Sequence, residues 1–330
     1  MKVSVITLAA LAAVSTAAPA ARAQQVDAQC SDISKVGAGL AGGDACQKAV
    51  DLYRYMNIQL GTLIAGGNAT LGQGGTLGGL GHFAVDVRAN VMRANVPDVA
   101  AAGVVVGPAE QSAYTTSEKW AAVPTADVAI GIFKGIPLGI TSVGGIDALV
   151  NVSYLPEFTS NDVKVSVPDG SLKFGFGARV GLLKETALVP GVSVSYLRRD
   201  LPITNIDASI SSTRSVSVHD LDLYTTAWRL TASKSFLFLG LAAGIGQDKY
   251  EADADVTYDV DGNQPSQPLH FETAPKRTNM FVSASLNLML LKIVGEVGRV
   301  TGGELPTYNT FDKKATDARY YGSVGIRIGH

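Results

Sequence analysis

The sequence predicts an all-β protein, an antiparallel transmembrane β-barrel behind a short helical, Gly-rich segment. About twelve strands are expected, within a range of ten to fourteen. Three observations carry this. The last eleven residues read YYGSVGIRIGH. They place Tyr320, Gly322, Val324, Ile326 and Ile328 on one parity and Tyr321, Ser323, Gly325, Arg327 and Gly329 on the other. A strand sends alternate side chains to opposite faces, so one face is apolar and the other small and polar. Similar runs recur from His82 onward. Several reach the roughly nine to eleven residues that a membrane-spanning strand needs, rather than the usual five or six. Charged residues are only 17% of the chain, and 36 of 330 residues are Gly. An ordinary soluble domain carries about 25% charge and about 7% Gly.

Residues 1–23 read as a secretory signal peptide. Lys2 starts it, residues 3–18 are apolar, and Ala21-Arg22-Ala23 offers a small-x-small cleavage site. Cleavage would leave 307 residues with 25 basic and 29 acidic side chains, a charge of −4. That balance, with no basic run, gives no footing for nucleic acid. No later stretch approaches 18 uninterrupted apolar residues, so a crossing helix is not expected. A chain that spans a bilayer without helices must close into a barrel, because backbone amides in lipid have no other partners.

Residues 24–81 form the next expected unit, periplasmic or lumenal. Cys30 and Cys46 are the only cysteines. In an oxidising compartment they are expected to pair, closing one short loop. Residues 24–43 read as loop. Asp44 is placed to cap a helix running to Ile64, because Cys46, Val50, Tyr53, Met56 (or Asn57), Leu60 and Leu63 recur at spacings of three and four. Lys48, Asp51, Arg54 and Gln59 fall off that face, and Gly66-Gly67 would stop the helix. Its apolar face needs a surface, either the barrel interior or a periplasmic partner. The following LGQGGTLGGLG, residues 71–81, reads as tightly folded backbone threading a narrow space. Neither a preceding strand nor a Lys-Ser/Thr pair makes it a phosphate loop.

Residues 82–330 carry the strands. Phe83, Val85, Val87, Ala89 and Val91 alternate with Ala84, Asp86, Arg88 and Asn90. Leu172, Phe174, Phe176, Ala178, Val180 and Leu182 alternate with Lys173, Gly175, Gly177, Arg179 and Gly181. Further runs cover 128–133, 146–154, 192–197, 203–218, 222–234, 236–250, 280–290 and 292–300. Tyr154, Phe158, Tyr196, Tyr250, Tyr258 and Tyr320 lie near run ends, as interfacial aromatics do. Residues 159–170, 200–215 and 251–276 read as long polar loops, the last opening with an acidic stretch at 251–261. By parity, Asp86, Arg88, Asp147, Lys173, Arg179 and Arg327 face the lumen. There they either pair and brace the barrel or line a polar path.

No motif supports catalysis. His82, His219 and His270 sit in no nucleophile or zinc-ligand frame, so no catalytic residue, metal or cofactor is expected. The order of parts resembles the outer-membrane transporters of long-chain fatty acids and aromatic hydrocarbons. Those have a signal peptide, a lumenal hatch of short helices and small residues, then a fourteen-stranded barrel. Residues 44–81 look like the hatch, with Gly66-Gly67-Asn68-Ala69-Thr70 near the place of that family's Asn-Pro-Ala-Gly, lacking its proline. The resemblance implies an outer-membrane location and passive uptake of a small hydrophobic compound. The expected partners are outer-membrane lipid, barrel-assembly machinery and a small hydrophobic ligand. The alternative is a structural or surface-interaction barrel that transports nothing.

Overall fold

The computed structural model describes residues 25–33, 42–99, 103–159, 163–211, 214–259 and 266–329. The expected signal peptide lies outside them. Among the described residues, ten strands close into an up-and-down antiparallel barrel. They are β1 (Phe83–Pro97), β2 (Thr116–Phe133), β3 (Ile146–Tyr154), β4 (Leu172–Leu183), β5 (Gly191–Asp200), β6 (Arg214–Phe236), β7 (Leu239–Asp259), β8 (Lys276–Leu288), β9 (Leu291–Thr301) and β10 (Arg319–Gly329). Each pairs with its sequence neighbours. β10 closes onto β1, with Asp86 opposite Arg327 and Asn90 opposite Ser323.

The count is ten rather than twelve partly because the runs at 203–218 and 222–234 do not give two separate barrel strands. Most of 203–218 and 222–234 belong to a strand–strand hairpin whose second arm is β6, 23 residues long. β6 continues through an irregularity between His219 and Asp222, where Asp220 has φ 51°. Residues 251–259 are not loop either. They extend β7, with Ala252, Ala254, Val256 and Tyr258 buried inward and the acidic side chains on the opposite parity. Above the closed barrel, strands Thr204–Ser211, Val163–Ser166 and Phe158–Thr159 continue the sheet from β6, and Leu269–Thr273 adds to β7.

The parity rule places the side chains. Val85, Val87, Phe174, Phe176, Leu230, Leu241, Val282, Val297, Val324 and Ile326 are exposed on the outer wall. On a closed barrel such a belt matches lipid, not water. Trp120, Tyr154, Tyr196, Trp228 and Tyr320 ring its upper part, and Phe83, Phe133, Phe236 and Phe238 its lower end. Arg93 and Arg299 lie over the rings of Trp120 and Tyr320, a fit for side chains with apolar stems and wet heads. Tyr250 and Tyr258, expected in such a girdle, instead face inward and are buried. The connections β6–β7 and β8–β9 are two-residue turns, whereas those at the opposite end are long. The short-turn end is therefore periplasmic and the other extracellular. The described strands thus form a closed β-barrel with a lipid-matching outer belt.

Among the described residues, two helices precede β1. α1 (Ala28–Ile33) is a short helix where loop was expected, and α2 (Gly43–Ala65) fills the lumen. Among the described residues, no helix is long and apolar enough to cross a membrane. α2 descends from the extracellular end, and its residues are buried nearly all round. The barrel interior is thus the surface that accepts it. Gly61 lets it approach the wall, since a Cβ there would lie 2.5 Å from the Tyr250 ring.

Candidate functional site: an apolar pocket beside the lumenal helix

α2 ends at Gly66, whose φ of 54° suits glycine. The last carbonyls of a helix have no partner within it and carry the negative end of its dipole. Here the wall supplies cations. Arg199 Nη1 donates to the Ala65 carbonyl at 2.5 Å. Arg229 donates to Gly66 at 3.2 Å and Gly67 at 3.1 Å, and Arg88 to Asn68 at 2.8 Å. Arg327 donates to Leu71 at 2.6 Å. Wall acids take the amides. Asn68 N–H donates to Glu296, Leu71 N–H to Asp86 at 3.2 Å and Leu77 N–H to Asp147 at 3.1 Å. The charges also pair laterally: Arg88–Asp127 at 2.7 Å, Arg179–Asp147 at 2.7 Å and Arg229–Asp248 at 2.5 Å. Residues 66–81 therefore form an irregular plug whose backbone polarity is matched by the wall.

Five of the residues assigned to the lumen by parity, Asp86, Arg88, Asp147, Arg179 and Arg327, are buried there. Lys173 is half-buried on β4, in the field of Asp200. Arg199, Arg229, Asp127, Asp248 and Glu296 belong to the same network and were missed. Arg229 and Glu296 lay on the polar parity of runs already recognised. Arg198-Arg199 is an adjacent pair, and parity alone does not say which member turns inward.

The top of α2 is tied to the extracellular loops. Asp44 does not cap the helix, because Gly42 is the N-cap residue. Its carboxylate instead accepts from Val105 N–H at 2.8 Å, Glu110 N–H at 3.1 Å and Lys48 at 2.7 Å. Asp51 accepts from the Asn309 backbone and side chain, each at 2.8 Å. Thus Lys48, Asp51 and Gln59, expected off the apolar face, are also buried. Cys30 and Cys46 form a disulfide with Cα atoms 5.5 Å apart, within the span such a bridge allows. The Arg54–Asp27 ion pair at 2.6 Å holds the same N-terminal segment.

One face of α2 lacks polar ties. Leu52, Met56 and Leu60, spaced by four, are half-buried along one stripe. They face a cavity of about 220 Å³. Val96, Pro97 and Val99 from the end of β1 line one side, and Ile206, Val216, Val218, Leu221 and Leu223 another. Ile206 and Val218 sit opposite each other in the ladder. The pocket exists because the wall is uneven. β3 to β5 have only 9 to 12 residues, whereas β6 and β7 rise for 23 and 21. Tyr53 and Asn57 are the polar side chains at its edge. Tyr53 is satisfied by the Ala252 carbonyl at 2.8 Å, and the Asn57 amide donates to Thr273. Outside the barrel, His270 on strand Leu269–Thr273 contacts Asp255 at 2.9 Å. That hydrogen bond raises its pKa above the ordinary value. Among the described residues no group of three or more His, Cys, Asp or Glu is placed to hold a metal.

No family model matches the chain, and no curated protein matches it. Solved structures give shallow superpositions. The translocator domain of the autotransporter NalP from Neisseria meningitidis aligns at 11% identity and a TM-score of 0.37, over 88% of this chain and 99% of that one. A deletion mutant of the monoaromatic hydrocarbon channel TodX aligns at 11% and 0.31, over 75% and 66%. The Ralstonia pickettii toluene transporter TbuX aligns at 11% and 0.28, over 81% and 92%. With likeness this shallow, the fold rests on the chain's own strand pairing.

Proposed function

We propose that the protein takes up a small hydrophobic compound passively, capturing it in the pocket between α2 and the upper wall. The observation that carries this reading is the apolar cavity itself, at the extracellular end and beside the plug. About 220 Å³ exceeds the roughly 150 Å³ apolar cavity that accommodates benzene. A compound of about one ring or a short branched chain fits. Capture would be driven by apolar burial, worth about 25 cal/mol per Å². No bond is made or broken. Passage inward requires residues 66–81 to move, since they occupy the lumen.

A second reading has its own support. The arginine contacts to the plug backbone favour a sealed barrel that serves as a structural or surface-interaction protein. The initial rate of radiolabelled toluene entry into expressing cells separates the two. Uptake predicts a rate that rises with expression and falls to background with Leu60→Gln plus Leu223→Gln, the barrel still heat-modifiable on a gel. A rate indifferent to both changes leaves the structural reading.

A further inference from the structure

We propose that the periplasmic mouth holds a phosphate-binding site, separate from the apolar pocket and independent of the uptake reading. Beneath the plug lies a cavity of about 290 Å³ lined by Lys184, Lys292, Arg327, Glu185, Ser233 and Ser235. Lys292 on β9 is directly opposite Arg327 on β10. Like charges so placed repel and destabilise a sheet. Asp86, opposite Arg327 on β1, and Glu185 offset only part of it. Among the described residues, Lys292 and Lys184 form no side-chain hydrogen bond and no ion pair, and both are half-buried. Arg327 gives one nitrogen to the Leu71 carbonyl at 2.6 Å. The one acid lining the cavity, Glu185, is engaged by Ser233 Oγ at 3.1 Å and Ser235 N–H at 2.6 Å.

The three cations and one carboxylate that line the cavity sum to a formal +2, with Asp86 behind Arg327 just outside the lining. A phosphate dianion neutralises that charge and a phosphodiester monoanion halves it, and the oxygens of either accept charge-assisted hydrogen bonds from ammonium and guanidinium donors. The volume exceeds that of one phosphate group, leaving space for water or for the group to which the phosphate is attached. The source is a free periplasmic phosphate or the headgroup of an inner-leaflet phospholipid.

Calorimetric titration of inorganic phosphate into the full chain, in phosphate-free maltoside micelles at low salt, tests the site. Saturable one-to-one binding is expected. Lys292→Gln should weaken it at least about tenfold, the loss of one hydrogen bond between charged groups. Lys292→Arg should retain it, and Lys134→Gln, outside the cavity, should leave it unchanged. Phosphatidylglycerol nanodiscs identify the source: weaker apparent phosphate affinity means the headgroup competes, and unchanged affinity means a free solute. Absence of saturable binding, or equal affinity in folded Lys292→Gln, overturns the site.

Discussion

The two halves of the lumen are built on opposite principles. Below Gly66, the plug meets the wall through directional contacts between full charges and backbone dipoles. Such contacts specify one register and leave large penalties when broken, because an unpaired buried charge has nowhere to go. Above Gly66, along Leu52, Met56 and Leu60, the helix meets the wall across an apolar gap. Apolar contact has no direction, so a ligand can replace it without leaving any group unsatisfied. One half is suited to sealing and the other to exchange. The contrast also shows how a helix with polar residues on several sides can be buried all round: each side meets a wall of its own kind.

Removing a wall cation should give the largest effect. Arg229→Ala strips donors from Gly66 and Gly67 and leaves Asp248 with its Asn279 contact. A loss of about 3–5 kcal/mol is expected, read as a lower urea midpoint and a raised ion leak in planar bilayers. Arg229→Met together with Asp248→Leu should recover part of it. If the single variant is as stable and as tight as the parent, the directional seal is wrong.

The disulfide comes next. Cys30→Ser with Cys46→Ser releases a sequence separation of 16, costing on the order of 3 kcal/mol by the chain-entropy estimate. The cost should localise to the top of α2. Hydrogen exchange of residues 43–50 should quicken while β1 and β10 stay protected. Equal quickening throughout would mean that the bridge stabilises the barrel as a whole.

In the upper half, Leu60→Ala should cost little stability, about 1–2 kcal/mol for a half-buried side chain. It should enlarge the pocket and shift preference towards bulkier arenes in competition binding. An unchanged preference order would remove Leu60 from the pocket's specificity.

The smallest effect concerns His270. Its hydrogen bond to Asp255 raises its pKa above 6.5. The stabilising contribution is therefore complete below that ordinary value and is lost as pH rises through the raised one. Strand Leu269–Thr273 should open slightly more often at pH 8 than at pH 6, after correction for intrinsic exchange rates. His270→Gln should abolish the difference, and a strand equally protected at both pH values would refute the linkage.

Much of this was legible from parity. Val324, Ile326 and Ile328 point outward and Tyr321, Ser323 and Arg327 inward, as alternation alone requires. Strand ends were harder. The acids of 251–259 resembled a solvated loop, yet they alternate with Ala252, Ala254 and Val256, and charge obscured a sound period of two. Asp220, with its positive φ, falls in the gap between the runs at 203–218 and 222–234 and marks an irregularity inside β6. The helix was legible as well, from Cys46 to Leu63. Its place in the lumen was not, because sequence spacing separates apolar from polar faces without revealing that Asp51 would meet Asn309. The pocket was least legible of all, since Leu60, Val96 and Val218 come together only through unequal strand heights.

The contrast between the exchangeable upper half and the sealed lower half is tested most directly by methyl NMR of the protein in nanodiscs during a toluene titration. The account predicts saturable shifts at Met56, Leu60, Val218 and Leu223, with Leu71 in the plug unmoved at low occupancy. Shifts confined to lipid-facing methyls such as those of Val324 and Ile326, rising linearly without saturation, would contradict it.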